Sequence, residues 1–246
     1  MHPALRDSAH RPWPLPRGPW GLTMDWEDLL FLHWPVAPAA LAAQLPPGLE
    51  LETFDGRAWL GVVPFRMART RWRLLPPLPG ARDFPELNVR TYVRAGGKSG
   101  VWFFSLDAAS RLAVEGARAS FGLPYFTARM HVARRGDGLE YTSERTDRRG
   151  PPATFAARWR ACEPPWEART RPLERFLTER YCLYALRGGR LVRGEIAHAP
   201  WRVARAELAL ERCSLTTRLG LELSGPPASA LVAEPVRVAA WWPTPA

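Results

Sequence analysis

Short apolar segments, each closed off by a Gly, Pro or Asp-Gly turn, recur along nearly the whole chain. That rhythm leaves room for few helices and predicts strands joined by hairpins. Residues 26–34 read as a strand. Residues 51–54 and 58–66 flank Asp55-Gly56, the strongest short-range hairpin signal. Residues 87–94 and 101–107 flank Gly96-Gly97-Lys98-Ser99-Gly100, and residues 125–134 and 139–145 flank Gly136-Asp137-Gly138. Further strands are expected at 154–160, 182–186, 191–198, 203–210 and 236–242. Three stretches carry helical spacing instead. Residues 38–45 start on Pro38 and stop at Pro46-Pro47-Gly48. Residues 108–120 space Leu112, Ala113 or Val114, Ala117 and Phe121 about one turn apart, with Gly122 and Pro124 ending the run. Residues 172–181 put Leu173, Phe176, Leu177 and Tyr181 on one face. The class is α+β, mainly antiparallel β, with a curved sheet or open barrel enclosing a cavity and a few short helices.

At 246 residues, 46% hydrophobic and 24% charged, the chain can bury a substantial core. The expected organisation is a Pro-rich arm over residues 1–22 and a single domain over residues 23–246. The arm has no continuous apolar stretch of the kind a signal peptide requires, and no run approaches the roughly 18 apolar residues of a membrane helix. A cytoplasmic protein without a membrane partner is expected. Cys162, Cys182 and Cys213 are odd in number and far apart, and the five histidines form no paired ligand motif, so neither a disulfide framework, a metal nor a cofactor is expected. The net charge of +10 would attract nucleic acid if it were gathered on one face. Lys98 is the only lysine, the remaining basic residues are arginines, and no nucleic-acid motif accompanies them. The dense runs at 69–73 and 145–149 lie beside turn-like stretches and read as solvated surface, so nucleic acid is not an expected partner.

Nucleophile elbows, P-loops and dinucleotide turns are missing. The residues that could carry chemistry gather on the hairpin of residues 87–107. Glu86, Asn88, Arg90 and Tyr92 share one strand face, and Phe103, Ser105 and Asp107 share a side of the next. If both polar sides look the same way, Glu86, Arg90, Ser105 and Asp107 cluster. Such a cluster could hold a carboxylate on Arg90 and exchange protons through Glu86, or it could be an internal Arg90–Asp107 ion pair. His33 sits in an apolar run and reads as core, whereas His198 ends a strand beside Trp201 at a rim. Twelve tryptophans would suit walls around an apolar ligand.

The succession His33-Trp34-Pro35-Val36, Trp59-Leu60-Gly61-Val62-Val63-Pro64-Phe65, Pro85-Glu86-Leu87-Asn88-Val89-Arg90, Phe103-Phe104-Ser105-Leu106-Asp107, Leu123-Pro124-Tyr125-Phe126 and His198-Ala199-Pro200-Trp201 resembles the YqjF-like family of uncharacterised proteins, over residues 13–243. The resemblance extends to acetoacetate decarboxylase and implies its fold, a largely antiparallel sheet closing on a ligand cavity. That enzyme captures a β-keto acid on a lysine whose pKa is depressed by an apolar pocket and an adjacent cation. Arg118 and Pro124 stand where its motif has Arg and Pro, and Glu86 matches its acidic pocket residue. The rest departs: Ala119 replaces a glutamate, Tyr125 takes the place of the nucleophilic lysine, Phe126 that of its cationic neighbour, and Glu27 falls near a lost arginine. Tyrosine and phenylalanine cannot form an imine, and Lys98 lies in a Gly-rich turn that suggests exposure. The resemblance therefore implies a protein that binds a small anionic or amphipathic molecule, without decarboxylating it, with Glu86, Arg90, Ser105, Asp107, Arg118, Tyr125, Phe126 and His198 near the ligand. An alternative is an enzyme using Glu86 as base with Tyr125 or Asp107 as donor. Open strand edges in such a fold also favour a homo-oligomer.

Overall fold

The strand expected over residues 26–34 is two strands, β1 (Leu22–Glu27) and β2 (Leu29–Val36), because Asp28 between them takes a left-handed conformation at φ 54°. The computed structural model in which this is seen describes every residue except Met1, Asp7, Pro77, Glu222 and Ser224. Parts of the arm and of the Pro-rich loop before residue 85 thus lie outside the described residues. Helix α1 (Pro38–Ala42) and the two-residue strand β3 (Glu50–Leu51) lead to β4 (Ala58–Trp72). The Asp55-Gly56 hairpin is not formed as expected. Both residues have positive φ and turn the chain, closing one Phe54–Arg57 bridge, but Leu51 pairs with Val93 rather than with β4. Burial of Leu51 against the neighbouring sheet outweighs the local turn signal.

β5 (Phe84–Ala95) and β6 (Lys98–Ala108) form the expected hairpin. Helix α2 (Arg111–Phe121) starts on Ser110, whose hydroxyl accepts from the Ala113 N–H at 3.1 Å, and ends where Gly122 turns at φ 70°. β7 (Tyr125–Arg135) and β8 (Gly138–Arg145) make the next hairpin, followed by β9 (Thr154–Ala161) and β10 (Trp166–Glu167). Helix α3 (Pro172–Thr178) stops short of residue 181, the Arg180 N–H turning back onto the Thr178 carbonyl at 2.9 Å. The remaining strands are β11 (Cys182–Arg187), β12 (Arg190–Ala197), β13 (Arg202–Cys213), β14 (Ser229–Ala233), β15 (Val236–Ala240) and β16 (Thr244–Pro245).

These strands form one mixed, largely antiparallel sheet whose hydrogen-bonded order closes on itself twice. One circuit runs β1-β15-β12-β11-β6-β5-β4, and the other runs β4-β5-β6-β7-β8-β9-β13-β14-β2. Their common wall is β4, β5 and β6. The kink at Asp28 makes this possible: β1 pairs with the second half of β4 and β2 with the first, so consecutive strands serve different circuits. Side chains on the shared strands alternate between two interiors. On β4, Val63, Phe65 and Met67 join one core, while Leu60 and Val62 join the other, which also holds Leu87, Val89, Tyr141, Phe155 and Trp159. Each such side chain contributes about 1.5–3 kcal/mol on full burial.

The N-terminal arm packs along the first circuit. Arg11 is buried, with Nη1 donating to the Ile196 carbonyl and Nη2 to Glu195 Oε2 at 3.3 Å. Trp13 Nε1 reaches the same carboxylate oxygen at 3.0 Å. Lys98 differs from expectation: it is not a free turn lysine, because Nζ donates to Glu195 Oε1 at 2.6 Å and lies over the Trp13 ring. Arg145 also departs from the solvated run expected around it, being buried against Asp107 at 2.8 Å. No helix among the described residues is long and apolar enough to cross a membrane.

Candidate functional site

Alternation on β5 turns Glu86, Asn88 and Arg90 toward the first interior, where they line a pocket of about 380 Å³. Its walls are otherwise mostly apolar. β1 supplies Met24 and Trp26, β4 supplies Val63, Phe65 and Met67, and Phe31, Phe84 and Trp201 complete an aromatic side. Trp26 stacks on Trp201 with ring centroids 6.0 Å apart, and Phe31 meets Trp201 edge-on at 5.2 Å. Helix α2 lays small residues against the space, namely Ala113, Gly116, Ala117 and Ser120. These wall residues were not singled out from the sequence, although the period-two pattern of Val63, Phe65 and Met67 carries the signal.

Tyr125 reaches across from β7 and donates to Glu86 Oε2 at 2.9 Å. Burial pushes the Glu86 carboxyl up to about 8, opposed by this hydrogen bond. It is therefore mostly neutral at pH 7. Burial, together with the Glu86 charge, raises the Tyr125 hydroxyl well above its ordinary value, so it too stays protonated. Asn88 is buried and its Oδ1 has no hydrogen-bond partner. Arg90 is half-buried, its Nη2 donating to the Leu177 carbonyl at 3.3 Å while Nε has no partner. The guanidinium lies 5.3 Å from the Phe31 ring centroid and forms no ion pair with a described carboxylate. The pocket's other arginine, Arg180, is paired with Glu52.

His198 lines the pocket, stacked on Tyr181 at 4.8 Å, with Nδ1 donating to the Ala199 carbonyl at 2.7 Å. Burial lowers it to about 4, so it is a neutral wall residue at physiological pH. His33 is core, as expected, and does not line the pocket. The Tyr92 hydroxyl donates to the Leu177 carbonyl at 2.7 Å, so the 2.6 Å contact with His33 requires a proton on His33 Nε2.

Four of the candidate residues face elsewhere. The expected cluster of Glu86 and Arg90 with Ser105 and Asp107 does not form, because a bulge shifts the β5–β6 register: Val89 pairs with Ser105 but Arg90 with Phe103. Phe104 is the extra residue. Val101 and Phe103 therefore face the pocket before the bulge and Leu106 after it, while Ser105 and Asp107 do not line it. Asp107 pairs with Arg145 at 2.8 Å instead of with Arg90. The parallel register sets Phe126 beside Asp107 and Tyr125 beside Leu106. Phe126 accordingly points away, under the Arg145 guanidinium at 4.2 Å. Arg118 projects from α2 towards β7 and donates to the Tyr125 carbonyl at 2.8 Å, holding the backbone of the pocket tyrosine without lining the pocket. Glu27 pairs with Arg66 and Arg69, also outside the pocket.

The mixed, largely antiparallel sheet has the fold of acetoacetate decarboxylase-like proteins. The structure superposes on acetoacetate decarboxylase from Legionella pneumophila with a TM-score of 0.64 and 16% identity, covering 97% of this chain and 93% of that one. It also superposes on the enduracididine biosynthesis enzyme MppR complexed with pyruvate, with a TM-score of 0.62 and 15% identity, covering 96% and 93%. In sequence, the chain is 44% identical over 209 residues to the uncharacterized protein YqjF of Bacillus subtilis (strain 168), covering 85% of this chain and 86% of that protein. Residues 23–237 match the DUF2071 model, described as an uncharacterized conserved protein. The chain belongs to the DUF2071 family.

Proposed function

We propose that this protein binds a small anionic, amphipathic molecule in the pocket and holds it without covalent capture. The observation that carries this reading is Arg90, a cation in the wall of an apolar pocket that forms no ion pair among the described residues, the pocket's own carboxyl, Glu86, being hydrogen-bonded to Tyr125. A partly desolvated charge of that kind is stabilised by an anion that brings its own hydrogen-bond acceptors. Imine chemistry has no support: the residue after Pro124 is Tyr125, and Lys98, the only lysine, is engaged with Glu195 away from the pocket lining. A thermal-shift panel of carboxylates and keto acids tests the reading. Wild type is expected to be stabilised by a subset of them and Arg90→Met to lose that response; silence across the panel would end the proposal.

A second reading is favoured by Glu86. A carboxyl raised to about 8 and hydrogen-bonded to Tyr125 is matched to proton transfer near neutral pH. In that reading the bound molecule is turned over by acid and base steps at Glu86. Any turnover found should then vanish in Glu86→Gln, and turnover that survives the substitution excludes it.

A further inference from the structure

The two ends of the pocket are chemically unlike. Phe84, Glu86, Asn88 and Arg90 face it in succession along β5, and the six steps from Phe84 to Arg90 span about 20 Å of extended backbone. Beyond Phe84 the wall continues to an opening where Leu75, Leu112 and Trp242 are 51%, 52% and 49% exposed. Single exposed apolar residues are ordinary, but three large ones lining one apolar pocket offer it surface that a hydrocarbon would cover. The small residues on α2 keep the passage between mouth and interior open. A Cβ built on Gly116 meets no atom within 4 Å.

We propose that the ligand is a free long-chain carboxylic acid, its carboxylate on the Arg90 guanidinium and its chain running past Asn88 and Glu86 towards the lips formed by Leu75, Leu112 and Trp242. This rests on the reading of the pocket as a site for an amphipathic anion and adds the length and direction of the guest. A short keto acid satisfies Arg90 but leaves the apolar passage and its lips uncovered. A neutral ester of the same chain brings no charge to Arg90, so the free acid is the form that matches both ends. Glu86 fits the same arrangement, because a carboxyl held neutral by burial sets no negative charge beside the incoming anion.

Isothermal titration of the full chain with butyrate, octanoate, decanoate, tetradecanoate and methyl decanoate tests this. Affinity is expected to rise by about fourfold per methylene through decanoate, the increment for transferring a methylene out of water, and to go on rising to tetradecanoate. Methyl decanoate is expected to bind about tenfold or more below decanoate, since it loses the charge-assisted contact. Gly116→Leu, which puts a side chain into the open passage, is expected to weaken tetradecanoate far more than butyrate. Butyrate binding as tightly as decanoate overturns the inference and leaves the anion-binding reading standing, whereas an ester matching its acid overturns both. No binding by any acid overturns the inference, and silence across the wider carboxylate and keto acid panel overturns the reading beneath it.

Discussion

Tyr125 donates its hydroxyl proton to Oε2 of Glu86 at 2.9 Å, reaching from β7 to β5 across the face of β6 that lies between them. The contact joins two residues that are 39 positions apart in sequence, and it leaves the second oxygen of the carboxyl for a guest or a proton.

Glu86 makes the protein less stable as pH rises. Its folded-state value of about 8 lies above the ordinary 4.5, so the native state retains a proton that the unfolded chain has released between those values. Stability is lost across that window and levels off above about pH 8. Glu86→Gln keeps an acceptor for Tyr125 and removes the titration. Its stabilisation should therefore grow from pH 5 to pH 8, up to roughly 5 kcal/mol. Denaturant midpoints of the two proteins at several pH values check this, and a pH-independent difference would refute it.

His198 acts in the opposite direction. Burial lowers it to about 4 from the usual 6.5, so the unfolded state binds the extra proton first as pH falls. The native state loses up to roughly 3 kcal/mol between pH 6.5 and pH 4 on this account. His198→Gln should flatten that part of the stability profile relative to wild type, read as thermal midpoints over the same interval. Equal slopes in the two proteins would show that His198 does not carry the effect.

The Asp107–Arg145 pair should behave as a unit. Both side chains are nearly inaccessible, and removing one leaves the other charge buried alone. Arg145→Met is expected to cost about 3–5 kcal/mol, and adding Asp107→Asn should restore much of it. Urea unfolding of the single and double variants measures the coupling, and simple additivity would contradict it.

Incubation with pyruvate or acetoacetate followed by borohydride reduction should leave the intact mass unchanged. Lys98 is committed to Glu195, and Tyr125 has no amine to condense with a carbonyl. A reduced adduct on Lys98, located by peptide mass spectrometry, would require a different account of the pocket.

The sheet class and the polar row of β5 were legible because they depend on local alternation, and Glu86, Asn88 and Arg90 do face one space. What lay beyond reading was set by tertiary register. The bulge at Phe104 turns Ser105 and Asp107 out of the pocket, on a strand that pairs with β7 and β11 as well as with β5. The Asp28 kink had no Gly to announce it. Leu51 was assigned to the wrong partner because a strong turn signal says nothing about what the flanking residues meet. The resemblance to a decarboxylase motif placed Tyr125 and Phe126 together, whereas adjacent strand residues point to opposite sides.

Three strands that separate two interiors also separate two kinds of constraint. Positions 86, 88 and 90 can be rewritten to reshape the pocket lining while 87 and 89, packed into the opposite core, keep the frame rigid. A lineage built this way can alter the chemistry of one interior by drifting along alternate residues of a single strand, without first surrendering the architecture around it.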